Sequence, residues 1–295
     1  MIHSLELIKE LENKAEVVRR NCLTIFNGSQ AGHVGGTFSL IEIITTLYFH
    51  HMKLNPRDPN WPERDRLVLS KAHACEALYS ALVEIGFISK EKLPTYYRLG
   101  SVLQGHADRW CTPGIEFSGG SLGEGLSYAA GIAYSGLRLW KSSFDSGPRV
   151  FRKTIPRFRV YCILGDGECD EGQVWEAAMT ASSLRLDNLV AIVDYNKFQV
   201  DGPSNEVCRL EPFADKWRCF GWYPMEVDGH NLAQLADTLD MTDNMFGDGR
   251  PKVIIAHTIK GRGIPYFEER HLHFAGGAAM SRGLKQATEQ SKAGG

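Results

Sequence analysis

The sequence predicts an α/β fold in which a parallel sheet carries helices on both faces. Four short, continuous apolar runs are typical of strands that are buried on both sides. Longer stretches with apolar residues at helical spacing lie between such runs, and this alternation is typical of a parallel sheet. The four predicted strands span residues 66–70, 159–164, 189–193 and 252–256.

The helices follow from the spacing of apolar residues by three or four positions. A glycine-rich break at 31–36 separates the first two helices, and a glycine-rich loop at 119 opens into an alanine-rich helix. The predicted helical stretches are residues 5–26, 39–48, 74–85, 119–134 and 173–184.

Two segments do not fit this alternation. Residues 142–156 are basic and contain Ser and Pro, which predicts an exposed insertion or a mobile loop. Residues 281–295 are polar, and we predict a disordered tail there. Since no linker divides the rest of the chain, residues 1–280 are predicted to form one domain.

The composition of the chain argues against several classes of function. The chain has 295 residues, of which 43% are hydrophobic and 23% charged, as in ordinary globular proteins. A formal net charge of -2 argues against a nucleic-acid partner or an anionic membrane surface. No apolar run is long enough for a transmembrane helix, and the first twenty residues lack the apolar core of a signal peptide. We therefore expect neither a nucleic-acid nor a membrane partner.

The cysteines indicate a reducing compartment. The sequence has 7 of them, dispersed and without a C-x-x-C pair, which argues against a zinc ribbon or a thioredoxin motif. An odd, dispersed set without a signal peptide is typical of reduced thiols, so a cytoplasmic location is expected.

Polar side chains follow two of the predicted strands at their carboxyl ends. The second strand leads into Gly165-Asp166-Gly167, and the third leads into Asp194-Tyr195-Asn196. Ligands of open parallel sheets bind beyond this edge, and the flanking glycines leave room for them. Because Mg²⁺ uses few protein oxygens and completes its shell with water and phosphate, Asp166 and Asn196 suit it.

The same residues admit other interpretations. Gly-Asp-Gly by itself is most often a turn. The alternating acids after Asp166 resemble an EF-hand loop, but Glu171 and Ala177 occupy positions that should be Gly and Glu. The sequence contains no G-x-x-x-x-G-K-[ST] phosphate-binding loop.

The longer pattern around Asp166 resembles the thiamine-diphosphate motif of the transketolase family. Asp166 to Asn196 matches the pattern shared by thiamine-diphosphate enzymes, and the later residues are similar to transketolases in particular. The resemblance is carried by Gly165-Asp166-Gly167, Glu171-Gly172, Trp175-Glu176-Ala177, Asn188-Leu189, Asp194-Tyr195-Asn196 and Gln199-Val200-Asp201-Gly202.

Further segments extend the resemblance over most of the chain. Two depart slightly, with Ala31 and Ala72 in place of the family's Ser and Gly. The matching segments are Gly32-His33 with Gly35, Asp65-Arg66 through His73, Gly105-His106-Ala107-Asp108, Gly120 through Gly125, Asp228-Gly229-His230 and Thr258 through Gly263. The resemblance thus implies the thiamine-diphosphate-binding fold.

The resemblance implies a set of cofactor-binding residues. Mg²⁺ would be held by the side chains of Asp166 and Asn196 and by the carbonyl of Phe198, and would bridge the diphosphate. His73 would contact the diphosphate, as an imidazole donor can. The expected cofactor-binding residues are His73, Gly120, Leu122, Gly165, Asp166, Gly167, Glu168 and Asn196, with Gly120 and Leu122 at the aminopyrimidine end.

The resemblance also implies catalytic residues. His33 and His106 would line the substrate channel and help to shuttle protons. His273 is the candidate for a third channel histidine, although its neighbours depart from the family's W-H-G-K-A-P segment. Glu171 would lie where two cofactor-holding domains meet. Plainer interpretations are surface loop histidines, a core histidine for His73, and a helix N-terminal acid for Glu171.

The resemblance covers only the first domain of a full transketolase. The pyrimidine-binding domain, with the glutamate that activates the cofactor, has no counterpart in this sequence. The chain therefore resembles the N-terminal subunit of a split transketolase, which would transfer a two-carbon ketol unit from a ketose to an aldehyde. A C-terminal subunit would complete it as a heterotetramer. The alternatives are a two-chain 2-oxoacid dehydrogenase or deoxyxylulose-phosphate synthase, or a non-catalytic partner subunit.

Overall fold

A five-stranded parallel sheet forms the centre of the protein. The structure is a computed structural model that describes residues 3–145, 158–245 and 247–293. The strands lie in the order β2-β3-β4-β6-β5, and every neighbouring pair is parallel. They are β2 (Arg66–Leu69), β3 (Val160–Gly165), β4 (Leu189–Tyr195), β5 (Tyr223–Asp228) and β6 (Lys252–His257). All four predicted strands are confirmed.

β5 is a strand that the sequence patterns did not reveal. It lies at the edge of the sheet and pairs only with β6 among the described residues. Pro224 can occupy it because an edge strand has one side that needs no ladder hydrogen bond. A second, two-stranded antiparallel sheet joins β1 (Ala31–Gly32) to β7 (Ala275–Gly276) and brings two distant loops together.

Helices cover both faces of the large sheet, as predicted. Alternate residues of β3 enter two separate apolar cores, with Tyr161 and Ile163 in one and Cys162 and Leu164 in the other. The first core is closed by α1 (Leu5–Ser29), α2 (Val34–Ser39), α3 (Ile41–Thr46), α4 (Cys75–Glu84), α9 (Leu232–Asn244), α10 (Pro265–Glu268) and α11 (Gly277–Ala293). The second is closed by α5 (Glu124–Asp145), α6 (Gly172–Ser183) and α8 (Phe213–Cys219), and a short α7 (Ser204–Val207) precedes α8.

Several boundaries differ from the prediction. The predicted helix 39–48 is divided into α2, α3 and a π-helical turn over Leu47–His51. The predicted insertion 142–156 begins inside α5, which continues to Asp145, and its remainder lies outside the described residues.

The prediction of a disordered tail is wrong for most of its length. Residues 281–293 belong to α11, which begins at Gly277. Met280 and Ala287 of this helix are buried in the first core, with Leu284 packed against it. These three positions repeat at helical spacing, so the helix is stabilised by one apolar face although most of its residues are polar.

The register of the strands determines where the site lies. Gly165 of β3 pairs with Asp194 of β4, and Asp194 pairs with Ala256 of β6. The residues that follow these three positions therefore leave the sheet at the same carboxyl edge. No helix within the described ranges is long and apolar enough to cross a membrane.

Candidate active site

A cleft opens at the carboxyl edge of the sheet, where parallel-sheet proteins bind their ligands. Its volume is about 270 Å³. The loops after β2, β3, β4 and β6 all contribute to its walls. The lining includes the predicted residues His73, Leu122, Gly165, Asp166, Gly167, Glu168, Glu171, Asn196, Phe198 and His273, together with Lys71, Asp170, Gln199 and Lys260.

Asp166 and Asn196 are held by one tight turn after β4. The Asp166 carboxylate accepts hydrogen bonds from the Lys197 amide at 2.8 Å and from the Ser204 hydroxyl at 2.7 Å. The Asn196 side-chain oxygen accepts from the Phe198 amide at 3.2 Å. Lys197 adopts φ 69°, an uncommon backbone conformation for a residue with a side chain, and this conformation lets the turn serve both oxygen ligands.

Burial changes the acidity of Asp166. Its side chain is 1% exposed, and burial raises its pKa to about 6, opposed by the hydrogen bond from Ser204. A cation beside this carboxylate would lower its pKa again, because a neighbouring positive charge favours the ionised form.

Lys71 and Asp194 form an ion pair beneath the cleft. Both are buried, and the Lys71 ammonium donates directly to the Asp194 carboxylate. Asp194 also accepts from the hydroxyls of Ser39 and Thr258 and from the Asn196 amide. Although burial alone would raise the pKa of Asp194, Lys71 and these donors hold it below its usual value. Asp194 is thus a fixed anion that positions both Lys71 and Asn196.

A second buried lysine faces the predicted metal ligands. Lys260 Nζ donates to the carbonyls of Phe198 at 3.1 Å and Gln199 at 3.0 Å. Burial, and then the charge of Lys71, lowers its pKa to about 8. The Phe198 carbonyl, predicted as a metal ligand, therefore already accepts from an ammonium group on this chain.

Glu168 acts as a clamp between three segments. Its carboxylate accepts from the Ser70 hydroxyl, from the Gly123 amide at 2.8 Å and from the Gly165 amide at 3.0 Å. It joins the end of β2, the glycine-rich loop before α5 and the end of β3. Both of its oxygens are thus engaged by this chain, so its contribution to a cofactor site is to fix the loops.

Four histidines gather at one end of the cleft. The ring of His33 lies 5.2 Å from that of His73, 5.9 Å from that of His106 and 5.5 Å from that of His273. His73 and His273 are 4.9 Å apart. The two-stranded sheet that pairs Gly32 with Ala275 brings the distant segments together.

The half-buried members of this cluster, His33, His73 and His273, are neutral at physiological pH. Burial lowers the pKa of His33 and of His273 to about 4, and the charge of Lys260 adds to the effect at His273. Burial, and then the charge of Lys71, holds the pKa of His73 well below its usual value. His33 Nδ1 is buried without a hydrogen-bond partner among the described residues, so it remains available to a ligand group.

Glu76 supports the histidine cluster from below. It is fully buried in α4 and accepts from the His33 backbone amide at 3.2 Å, the Thr37 hydroxyl at 2.8 Å and the Tyr96 hydroxyl at 2.9 Å. Burial raises its pKa to about 7. Glu76 therefore fixes the position of His33 through its backbone.

The remaining predicted residues lie at the mouth of the site. Leu122 is 37% exposed and lines the cleft, whereas Gly120 lies outside that lining, with open space on its Cβ side. Glu171 is exposed at the start of α6 beside Gly123. His106 is exposed and reaches the site through its ring contact with His33.

Sequence reasoning missed the roles of Lys71, Lys260, Glu76 and Asp194. Three of them have a signal in the sequence. Lys71 follows an apolar strand directly, Asp194 ends one, and Glu76 lies inside an otherwise apolar helix. A charged residue in such a setting requires a partner when it is buried. That requirement could have identified all three as candidate site residues.

The residues fit the cofactor and metal that the sequence resemblance implies. Two buried lysines provide positive charge and donors for a diphosphate, and the neutral, half-buried His73 provides a further donor. Asp166 and Asn196 provide hard oxygen ligands for Mg²⁺. Asp170 Oδ1 in the cleft wall is buried and has no hydrogen-bond partner among the described residues. This oxygen is therefore available to a ligand group or to water in the cleft.

The fold and the cleft together define an α/β protein whose cleft, at the carboxyl edge of its sheet, has the charges and donors that suit a phosphorylated cofactor. Residues 12–292 match the sequence model of the family described as "Transketolase, thiamine diphosphate binding domain". The chain belongs to this family, as an N-terminal subunit of the transketolase type.

Individual relatives agree with this assignment. The chain is 41% identical to the 6-deoxy-6-sulfo-D-fructose transketolase subunit SqwG of Clostridium sp. (strain MSTE9), over 96% of this chain and 94% of that protein. It is 38% identical to a subunit of the apulose-4-phosphate transketolase of Phocaeicola vulgatus, over 88% of this chain and 86% of that protein.

Solved structures confirm the thiamine-diphosphate-binding fold. Transketolase from Campylobacter jejuni superposes with a TM-score of 0.83 at 28% identity, covering 97% of this chain and 43% of that chain. Transketolase from Leishmania mexicana gives a TM-score of 0.83 at 26% identity, covering 96% and 46%. The chain thus spans less than half the length of these solved transketolases.

Proposed function

We propose that this chain is the diphosphate-binding subunit of a two-component transketolase that transfers a two-carbon ketol unit from a ketose to an aldehyde. The observation that supports it most strongly is that one turn after β4 holds the side chains of both Asp166 and Asn196, beside two buried lysines. Bound thiamine diphosphate would supply the carbon nucleophile and electron sink for cleavage of the carbon-carbon bond.

The residues of this chain would bind and orient the cofactor. Asp166 and Asn196 would hold Mg²⁺ by side-chain oxygens, and the Phe198 carbonyl would contribute a third ligand. Lys71 and Lys260 would neutralise the diphosphate, and His73 would donate a hydrogen bond to it. Gly165 and Gly167 would let phosphate groups approach the backbone closely.

The histidine cluster would act on the substrate. His33 and His273 are neutral at pH 7 and can accept a proton, as the transfer of hydroxyl protons in ketose cleavage requires. His106 at the mouth would contact the substrate as it enters. We propose these three as catalytic residues, with Glu171 as a contact between the two halves of the active site.

A C-terminal transketolase-like subunit would complete the active site, with two copies of each chain in a heterotetramer. The two relatives of similar length carry the word "subunit" in their names. Large apolar side chains are exposed beside the cleft: Leu122, Val200 at 70% and Phe274 at 47%. Exposed apolar surface around a polar cleft is typical of an interaction site.

The names of the relatives favour an acidic ketose donor. One relative is named for a sulfonated ketose and another for a phosphorylated one. We propose a donor that carries an acidic group away from its carbonyl carbon. Substrate screening should therefore include sulfonated and phosphorylated ketoses beside neutral ones.

Binding of the cofactor tests this proposal directly. Thiamine diphosphate with Mg²⁺ is titrated calorimetrically into the chain co-expressed with its C-terminal partner. In Asp166→Asn we expect binding to weaken more than about 100-fold, because even residues that only support a metal ligand typically cost about 10- to 100-fold. The exposed Asp201 in the same cleft provides a matched control, since Asp201→Asn removes a charge without touching the metal ligands.

Two outcomes would contradict the proposal. Equal cofactor affinity in Asp166→Asn and the unmodified pair would exclude Asp166 as a ligand. Absence of magnesium-dependent binding in the unmodified pair would favour a non-catalytic subunit.

A further inference from the structure

A second cluster of metal-binding side chains lies far from the cleft, at the amino edge of the sheet. His3 precedes α1, His50 lies in the π-helical turn, and Asp240 lies in α9. One potential ligand atom from each lies within 4.8 Å of the other two. Arg159, directly before β3, contacts the neighbouring His51, which places the cluster at this edge.

The distances match the edges of a metal coordination shell. His3 Nε2 and His50 Nε2 each lie 3.2 Å from Asp240 Oδ2. Asp237, one turn earlier on α9, places Oδ1 3.5 Å from His3 Nε2. A tetrahedral zinc ion with ligands at about 2.0–2.1 Å separates its ligand atoms by about 3.3 Å. The three nitrogen–oxygen distances given above therefore agree with the spacing of ligand atoms around such an ion.

His3 Nε2 has carboxylates beside it but no hydrogen-bond partner among the residues that the structure describes. The atom is buried, and it forms no hydrogen bond with any described residue, because its approach to the carboxylates lacks hydrogen-bond geometry. A buried imidazole nitrogen without a hydrogen bond is costly unless a ligand satisfies it. A cation between His3 and Asp240 would satisfy it.

Neighbouring residues hold Asp240 in place. His51 Nδ1 hydrogen-bonds Asp240 Oδ1 at 2.9 Å, and His50 Nε2 hydrogen-bonds Oδ2 at 3.2 Å, on the side that faces His3. His51 is itself held by Asp243 at 3.6 Å and Arg159 at 3.4 Å. Carboxylate ligands of metals are commonly oriented by such supporting hydrogen bonds.

We propose that His3, His50 and Asp240, with Asp237, form a zinc-binding site. Two imidazole nitrogens with carboxylate oxygens favour Zn²⁺ over Mg²⁺ or Ca²⁺, which prefer oxygen ligands alone. The ion would fasten the segment before α1 to the π-helical turn and to α9. This site is independent of the cofactor cleft and of its proposed chemistry.

Cobalt is the probe for this site, since Co²⁺ binds zinc sites and absorbs visible light. The full chain, without an affinity tag and carrying Asp166→Asn to disable the proposed magnesium site, is stripped of metal and titrated with Co²⁺. His3→Gln and His50→Gln are compared with His257→Gln. His257 is a suitable control because it pairs with Glu226 at 2.8 Å yet belongs to no three-ligand cluster of the described residues.

We expect one equivalent of Co²⁺ with a tetrahedral absorption band, displaced by Zn²⁺. His3→Gln and His50→Gln should each weaken binding at least about tenfold, and His257→Gln should not. Zn²⁺ should raise the melting temperature of the parent chain but not of His3→Gln. Absence of the band at millimolar Co²⁺, or an affinity for Co²⁺ in His3→Gln and His50→Gln equal to that of the parent chain, would overturn the proposal.

Discussion

At the scale of single residues, the site is built from buried charges that face one another. Lys71 and Asp194 are both fully enclosed, and three further donors converge on the same carboxylate. A buried ion pair contributes little net stability unless its remaining hydrogen-bonding capacity is filled. Here it is filled, so the pair serves to place Lys71 at the cleft with little freedom.

Glu76 yields a prediction for the dependence of stability on pH. Its pKa is raised from 4.5 to about 7 by burial, so the folded protein holds this proton more tightly than the unfolded chain. The stabilisation is present below about pH 4.5 and is lost as the pH rises to about 7. Glu76→Gln should remove this loss, which amounts to about 3 kcal/mol of unfolding free energy.

Urea denaturation between pH 5 and pH 8 provides the measurement. The difference in unfolding free energy between Glu76→Gln and the parent chain should grow in favour of the variant as the pH rises. Glu10→Gln, at an exposed position of α1, provides the control. A difference that stays constant with pH would contradict an elevated pKa at Glu76.

At the scale of elements, the packing of α11 is the feature that could not be predicted from the polar composition of its residues. Gly283 lies against the Phe267 ring, and a Cβ there would approach a ring atom to 2.1 Å. Gly131 in α5 is also helical, but its Cβ position meets no atom within 4 Å. The same substitution at these two glycines should therefore have opposite effects.

Gly283→Ala should destabilise the protein by about 1–3 kcal/mol through overpacking. Gly131→Ala should stabilise it by up to about 1 kcal/mol, because alanine is the better helix former. Thermal denaturation of the two variants measures both. If Gly283→Ala were as stable as Gly131→Ala, α11 would not be packed on Phe267.

The sequence predicted the central strands of the sheet but missed the edge strand β5 and the C-terminal helix α11. Strands β3, β4 and β6 are continuous apolar runs because helices cover both of their faces, so their pattern is distinctive. β5 is less buried, contains Pro224 and lies at an edge, so its sequence resembles a loop. The tail was misjudged because polar composition hid the spacing of Met280, Leu284 and Ala287.

The candidate site was predictable where a backbone motif defines it. Asp166 and Asn196 follow strands that must end at one edge, and backbone amides of the turn after β4 hold both side chains. The contact between His33 and His273 depends on the pairing of β1 with β7, across 240 positions (273 − 33), and short strand pairings of this kind leave no periodic signal.

At the scale of the whole molecule, the proposal makes this chain one of two halves of an active site. The cleft holds the groups that a diphosphate and its metal require, and the exposed apolar side chains of Leu122, Val200 and Phe274 surround it. Solved transketolases are more than twice as long as the part that this chain matches. A second chain that covers this surface would exclude water from the reacting groups, which strengthens every charge interaction inside.

Reconstitution of ketol transfer tests this account most directly. The chain and its C-terminal partner are purified separately, and transfer from a ketose donor to an aldehyde is followed with thiamine diphosphate and Mg²⁺ present. We predict no transfer by either chain alone, transfer when they are mixed, and its loss when this chain carries Asp166→Asn. Transfer by this chain alone at the rate of the mixture would contradict the account.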